Sequence, residues 1–317
     1  MTTPNTQPGA TPPGGAALAA AMPAVPPVES PLRRFLTDFS ASWLALLAAL
    51  MLAVIILIAL FAPWISPQDP YDLAVVSIFD ARLPPGSTSM EGTTFWLGTD
   101  GAGRDLLSAI FYGLRISLSV GVMSGILAII VGMSVGLAAA YAGGRTETLI
   151  MRVVDLQLSL PAVLIALILL AILGKGVDKI IIALVIAQWA YYARTVRASA
   201  LVERRREYVE AAACLGLGHA RIVFRHILPN CVAPLIVVGT VQTAHAIALE
   251  ATLSFLGVGL PLTEPSLGLL ISNGFEYMLS GKYWIAVFPG VALLLTIVSI
   301  NIVGDQLRDV LNPRLQK

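Results

Sequence analysis

Three polar side chains interrupt a long apolar run in the last third of the sequence. Gln242, His245 and Glu250 lie between residues 232 and 256, among mostly apolar neighbours. A charged carboxylate in such a run costs on the order of 3 kcal/mol in a bilayer unless it faces protein or water or is protonated. Gln242 and Glu250 therefore either line a route for a solute or form hydrogen bonds between helices, worth about 0.6 kcal/mol each. We expect His245 to be a packed neutral imidazole, or else to form a proton relay with Glu250.

The sequence lacks the signatures of nucleotide binding and hydrolysis. Gly174-Lys175 is followed by Gly176 and has no upstream glycine of the P-loop pattern, so the chain has no such loop to cradle phosphates. No Ser-His-Asp, His-Glu-x-x-His or paired-carboxylate pattern occurs, and the two cysteines do not have zinc-site spacing. We therefore expect a non-catalytic chain that binds no metal or cofactor of its own. Its net charge of +1 gives no reason to expect a nucleic-acid partner.

Composition places these residues in a membrane. The chain is 57% hydrophobic and 12% charged, whereas soluble domains carry about 25% charged residues. A membrane-spanning helix needs about 20 apolar residues. Six runs meet or approach that length: about 41–62, 116–141, a run from Asp155 to Gly174, a run from Lys179 to Arg194, about 232–256 and about 283–303. The predicted fold is an all-α polytopic membrane protein with six transmembrane helices.

Small residues on the second predicted span indicate close helix packing. Gly121, Gly125, Gly132 and Gly136 repeat at small-xxx-small spacing, which lets two helix backbones approach each other.

The basic residues predict the orientation of the chain. Fourteen lysines and arginines fall in the segments on one side of the six spans and six on the other. Cytoplasmic loops carry the excess, so both termini and the loop at 200–230 are predicted to be cytoplasmic. The predicted organisation is a disordered cytoplasmic tail at 1–34, a first helix and extracytoplasmic loop at 35–115, a core at 116–310, and a cytoplasmic tail at 311–317.

The predicted extracytoplasmic loop contains a glycine-rich motif at residues 97–105. Its distinctive residues are Gly98, Asp100, Gly103, Arg104 and Asp105. Two interpretations are open: the glycines make turns, or the motif contacts a substrate or partner.

The 200–230 loop has the pattern of a surface helix-turn-helix. Tyr208, Ala212 and Leu215 are predicted to share one helical face. Gly216 and Gly218 permit a sharp turn, and a second helix at about 219–227 returns the chain to the bilayer. Its small alanines suit docking into a groove of another protein. The alternative is binding to anionic lipid, since each arginine of 204–206 would gain about 1 kcal/mol near acidic headgroups.

Together these motifs resemble those of the C-type permease subunit of oligopeptide/dipeptide ABC importers, over residues 35–315. The motifs that carry the resemblance are Leu97-Gly-Thr-Asp-Gly-Ala-Gly-Arg-Asp105, Arg152-Val-Val-Asp155 with Leu160-Pro161, Glu210-Ala-Ala with Gly216, Arg225-His-Ile-Leu-Pro-Asn230, Leu253-Ser-Phe-Leu-Gly-Val-Gly259, and Gly304-Asp305 with Leu307-Arg-Asp309 and Asn312-Pro313. His226 departs from the broad importer pattern, which favours isoleucine at this position, but a histidine before Ile-Leu-Pro-Asn is similar to the pattern of the peptide branch.

The resemblance implies a type I importer architecture and a division of labour among subunits. It implies that Glu210, Ala211, Ala212 and Gly216 form the docking core for an ATPase subunit. Arg206 and Tyr208, in the same loop, are further predicted coupling residues. The implied partners are a homologous second permease, two ATPase subunits that bind ATP and Mg²⁺, and an extracytoplasmic substrate-binding protein. The chain would lie in the cell inner membrane.

The resemblance leaves the transported ligand open. Di- or oligopeptides are expected first, and relatives of this branch also handle glutathione and nickel complexes. A different class, a self-contained secondary transporter, would use Glu250 and His245 as a proton relay. Such folds often contain inverted repeats, and the sequence shows no internal repeat.

Overall fold

The computed structural model describes residues 31–72, 76–89, 92–261 and 264–311. Residues 1–30 of the predicted N-terminal tail and residues 312–317 of the predicted C-terminal tail lie outside the described residues. The prediction of a disordered tail to residue 34 extends too far, because the first helix begins at Pro31.

The described chain is mainly helical. Two helices precede the long loop, α1 (Pro31–Ser40) and α2 (Trp43–Ile65). Four further helices lead to the 200–230 loop: α3 (Leu106–Ala142), α4 (Gly144–Ser159), α5 (Ala162–Leu173) and α6 (Val177–Glu203). The remaining helices are α7 (Glu207–Cys214), α8 (His219–Ile222), α9 (Leu228–Phe255), α10 (Leu267–Phe275) and α11 (Trp284–Leu311). A π-helical turn, Val223–Ile227, joins α8 to α9 in one continuous helix.

Four helices in the described part of the chain are long and apolar enough to cross a membrane. They are α2, α3, the continuous helix His219–Phe255, and α11. A fifth crossing is possible if α4 and α5 form one span, although these two helices meet at an angle of 91°. The break follows from Pro161, which removes a backbone N–H donor and disfavours helical conformation at Leu160. The sequence predicted a single unbroken run here.

Helix α6 corresponds to the fourth predicted span but differs from it in length and character. The prediction stopped at the charged residues Lys179 and Arg194, whereas the helix runs from Val177 to Glu203. Its buried residues are mostly small or aliphatic because α3, α5 and α9 pack around it. The Arg197 guanidinium forms an ion pair with the Glu147 carboxylate of α4, at 2.6 Å.

Helix α3 also extends beyond its predicted start at residue 116. It begins at Leu106, where the Asp105 side chain accepts a hydrogen bond from the Ser108 backbone N–H at 2.9 Å and caps the helix. The charge-free criterion placed the start too late because Arg115 lies on an exposed face of this helix.

The glycine stripe of α3 packs as predicted. A β-carbon at Gly132 would lie 2.4 Å from the Trp189 carbonyl oxygen, and one at Gly136 would lie 2.5 Å from the Ala193 carbonyl oxygen. Gly121 faces Ile247 of α9 in the same way, at 2.5 Å. The stripe therefore brings α3 against both α6 and α9, which form the centre of the helix assembly.

The long loop between α2 and α3 carries a small amount of β structure that the sequence did not predict. Strands β1 (Ser87–Thr88) and β2 (Thr94–Phe95) pair in antiparallel register, with Ser87 opposite Phe95.

Candidate functional site

Helix α7 presents its two glutamates and two of its three alanines outward. Glu210 and Ala211 are exposed, whereas Val209 and Ala212 are each 5% exposed and pack into a core cluster with Ile222. Of the three residues predicted to share one helical face, only Ala212 is buried, whereas Tyr208 is 41% exposed and Leu215, just after the helix, is 81% exposed. The buried positions are three residues apart, at 209 and 212, because α7 contacts the protein along a narrow stripe.

The predicted turn after α7 is made by one glycine. Gly216 has φ of +74°, a conformation that glycine adopts without a β-carbon clash. Gly218 has φ of −62° and precedes α8, so it has no need of glycine's freedom. Gly216 is exposed, and a β-carbon there would meet no atom within 4 Å. The turn therefore leaves the end of α7 open to a partner.

Tyr208 connects three helices around this turn. Its hydroxyl donates to a carboxylate oxygen of Glu203, at the end of α6, at 2.5 Å. It also accepts from the Asn230 side-chain amide of α9 at 3.0 Å. Partial burial and the neighbouring Glu203 raise the pKa of Tyr208 to about 12, so the phenol stays protonated as a hydrogen-bond donor. Arg206, exposed at the start of α7, lies 3.7 Å from the same glutamate.

Arg204 links the 200–230 loop to the end of α3. One guanidinium nitrogen, Nη1, donates to the backbone carbonyls of Ala140 and Tyr141, at 3.0 and 3.1 Å. The guanidinium also lies over the Tyr141 ring, 5.5 Å from its centre. A cation at the C-terminal end of a helix interacts favourably with the helix dipole and the free carbonyls. Tyr141 also contacts the imidazole of His219 in α8.

Arg204 was predicted from the sequence only as part of a basic run and not as a specific contact. Its signal was present in part: an arginine directly after a long helix is suited to bind free carbonyls. The identity of those carbonyls, 63 and 64 residues earlier in the chain, depends on the packing of α3 against α6.

Gln242, His245 and Glu250 occupy three different environments. Gln242 is buried and lines a cavity of about 720 Å³ between α9 and α11, together with Asp305 and Arg308. His245 is exposed on α9, so the expectation of a packed imidazole is wrong for this chain taken alone. The periodicity of one helix could not show which face its neighbours leave open.

Glu250 is fully buried and bonded to serines. One carboxylate oxygen accepts from Ser117 of α3 at 2.9 Å, and the other accepts from Ser254 at 2.7 Å. Ser266, the residue before α10, interacts with the same carboxylate. Glu250 therefore ties α3, α9 and the start of α10 together. The roles of Gln242, His245 and Glu250 in a pathway stay predictions.

The 97–105 motif forms the inner framework of the long loop. The Asp100 carboxylate is buried and accepts from the Arg104 guanidinium at 2.7 Å and from the backbone N–H groups of residues 102 and 104. Gly103 has φ of +86°, and a β-carbon there would lie 2.1 Å from the Ser77 carbonyl oxygen. A β-carbon at Gly98 would lie 2.5 Å from the Leu83 carbonyl oxygen. Asp105, the last residue of the motif, caps α3. This geometry favours the turn interpretation over a surface contact.

Among the described residues, no group of three or more His, Cys, Asp or Glu side chains is placed to hold a metal ion.

Known proteins resemble both the sequence and the fold of this chain. Residues 128–317 match the family described as binding-protein-dependent transport system inner membrane component. Residues 30–85 match the N-terminal TM domain of oligopeptide transport permease C.

Among curated relatives, a putative peptide transport system permease protein of Brucella suis biovar 1 is 43% identical over 82% of this chain and 84% of its own length. The dipeptide transport system permease protein DppC of Escherichia coli K12 is 41% identical over 82% of this chain and 85% of its own.

A solved structure shares the fold. A chain of the inward-facing MetNI methionine ABC transporter superposes with a TM-score of 0.54 at 19% identity, over 65% of this chain and 98% of its own. At that identity the likeness concerns the fold alone, and that fold is the one of an ABC importer permease. From the family match and the relatives together, the chain belongs to the family of binding-protein-dependent transport system inner membrane components, the permeases of ABC importers.

Proposed function

We propose that this chain forms half of the translocation pathway of an ATP-driven importer of di- or oligopeptides and receives force through the 200–230 loop. The observation that carries the coupling role is the outward-facing α7, with Glu210 and Ala211 exposed and Gly216 turning the chain at φ of +74°. The peptide substrate is supported by relatives whose names give peptide or dipeptide transport. Glutathione and nickel complexes are the alternative cargoes.

The proposed partners are supported by the match to the family of binding-protein-dependent transport system components. Two ATPase subunits bind ATP and Mg²⁺ and hydrolyse the ATP. A homologous permease completes the pathway, and an extracytoplasmic binding protein delivers the cargo. Closure of the ATPases pushes α7, and Tyr208 and Arg204 pass that movement to α9 and α3 through their hydrogen bonds. Such coupling needs a rigid connection between helices, and the hydrogen bonds of Tyr208 and Arg204 supply one.

Uncoupling tests the proposed role of the loop. We expect Glu210→Ala and Gly216→Pro to reduce uptake per ATP hydrolysed by tenfold or more in proteoliposomes that contain the complete complex. Proline requires φ near −65°, which is incompatible with the turn at residue 216. The matched control is Cys214→Ser, a substitution that nearly conserves side-chain size at an exposed position of the same loop. Normal coupling in both variants would refute the role of this loop.

The proposed orientation has a direct test. Cys214 is exposed and Cys231 is buried, so a membrane-impermeant maleimide reports chiefly on Cys214. We propose that both termini and the 200–230 loop are cytoplasmic. Cys214 is then labelled in inside-out vesicles and protected in intact cells. Labelling in intact cells, with a Cys214→Ser control to identify the thiol, would contradict the orientation.

A further inference from the structure

A second cavity lies at the other end of α3, away from the 200–230 loop. It has a volume of about 490 Å³ and is lined by Tyr112, Arg115 and Ser119 of α3, and by Tyr71 and Glu264 from the loops before α3 and after α9. The α3 residues are spaced so that they lie on one helical face. Volumes of about 300–1,000 Å³ are usual for small-molecule sites.

The cavity contains two opposite charges that are not paired with each other. In the part of the chain that the structure describes, Arg115 forms no ion pair. One carboxylate oxygen of Glu264 is shielded from solvent and has no hydrogen-bond partner among the described groups. Leaving such an atom unsatisfied costs about 1–3 kcal/mol, and more for a charged group. A ligand with a positive group would satisfy it.

Two aromatic side chains line the same cavity as these charges. Tyr71 packs edge to face on Tyr112, with ring centres 5.2 Å apart. Burial, and then the nearby Glu264 carboxylate, raise the pKa of Tyr71 to about 12. Its hydroxyl is therefore a neutral hydrogen-bond donor and acceptor at physiological pH. The site thus offers a cation, an anion and apolar ring surface within one small volume.

We propose that this cavity binds a peptide by its two charged ends, with Arg115 holding the carboxylate and Glu264 the ammonium group. The inference rests on the proposed peptide import and assigns to this chain a cargo contact separate from the binding protein. A single ion would neutralise only one of the two side chains, whereas a zwitterion satisfies both. Guanidinium–carboxylate pairs are strong and can be bidentate, and the tyrosines contact the body of the peptide between its ends.

Equilibrium binding to the purified complex tests the site. The complex is placed in phosphatidylglycerol nanodiscs without the binding protein, and binding of radiolabelled Ala-Ala is measured in competition with N-acetyl-Ala-Ala and Ala-Ala-amide. We expect the affinity of each blocked peptide to be lower than that of Ala-Ala by a factor of about ten or more, since each loses one charge-assisted hydrogen bond.

The two variants give a residue-specific signature that misfolding cannot produce. Arg115→Gln is expected to abolish discrimination against the amide and to keep discrimination against the acetylated peptide. Glu264→Gln is expected to do the reverse. The matched controls are Glu276→Gln, in a separate cavity of about 770 Å³, and Lys282→Gln, which lines neither cavity. Equal loss in the controls, or unchanged discrimination in both test variants, overturns the assignment.

A zwitterionic lipid headgroup carries the same pair of charges, and a second arm separates it from the peptide. Retention of phosphatidylethanolamine by the complex is measured by native mass spectrometry. If the two variants change lipid retention and leave Ala-Ala binding unaltered, the cavity is a lipid site and the proposal is wrong. ATP-driven Ala-Ala uptake by the wild-type complex with its binding protein tests the proposed function itself. If the wild-type complex imports Ala-Ala but both variants bind Ala-Ala and the blocked peptides as the wild type does, only the cavity assignment is wrong.

Discussion

Gly132 of α3 lies directly against the backbone of Trp189 in α6, so that a β-carbon at residue 132 would be 2.4 Å from the Trp189 carbonyl oxygen. The same β-carbon would lie 2.6 Å from the β-carbon of Tyr192. Because the two helices are closely packed, their backbones cannot move apart without losing contacts along their length. The contact at Gly132 therefore fixes the distance between α3 and α6. It also brings the C-terminal ends of those helices together, so that the Arg204 guanidinium donates a hydrogen bond to the Tyr141 carbonyl.

The first prediction concerns this helix contact. Gly132→Ala is expected to destabilise the fold by about 1–3 kcal/mol, because the added methyl group forces α3 and α6 apart. The melting temperature of the purified complex in detergent should fall. Gly290→Ala is the matched control, since a β-carbon at this helical glycine would meet no atom within 4 Å. Equal melting temperatures for the two variants would contradict the close approach.

The second prediction concerns the long loop. Gly103 and Gly86 both have positive φ, +86° and +81°. An alanine at either position incurs backbone strain of about 1 kcal/mol, but only at Gly103 would the methyl group also meet a carbonyl oxygen at 2.1 Å. We expect Gly103→Ala to increase cleavage of the loop by added protease, and Gly86→Ala to have a much smaller effect. Similar cleavage rates would show that the clash is relieved elsewhere.

The third prediction concerns Arg204 as the connection between α3 and the 200–230 loop. Arg204→Gln shortens the side chain and removes its charge, so both carbonyl contacts and the contact with the Tyr141 ring are lost. We expect ATP hydrolysis to continue while uptake per ATP falls about three- to tenfold. Arg205→Gln removes the adjacent charge and serves as the control. A matching loss in the control would instead indicate a general need for basic residues, as the lipid-binding alternative requires.

The fourth prediction concerns pH. The pKa of Tyr208 is raised above its usual value of 10 to about 12, so the folded protein binds this proton more tightly than the unfolded chain does. The stabilisation is therefore fully present below pH 10 and is lost as pH rises through about 12. A difference titration of tyrosinate absorbance between wild type and Tyr208→Phe should show ionisation of this phenol well above pH 10. Ionisation near pH 10 would mean that neither the burial of this phenol nor its contact with Glu203 holds in solution.

The sequence alone determined the membrane character, the approximate positions of the apolar helices and the turn after α7. Each depends on neighbouring residues: a run long enough to cross hydrocarbon, glycines four residues apart, or a glycine that can adopt positive φ. The predicted boundaries failed where a charge was taken as a helix end, at Arg115 and Lys179. A charge does not end a helix if its side chain finds a partner or an open face.

Only the tertiary structure decided which polar groups meet. The Glu250 carboxylate bonds to Ser117, 133 residues earlier, and Arg204 reaches the carbonyls at the end of α3. It likewise decided that Gln242 lines a cavity while His245, one turn further along the same helix, is exposed. The physical reason is that helical periodicity relates residues within one helix, whereas these environments depend on how separate helices pack against each other.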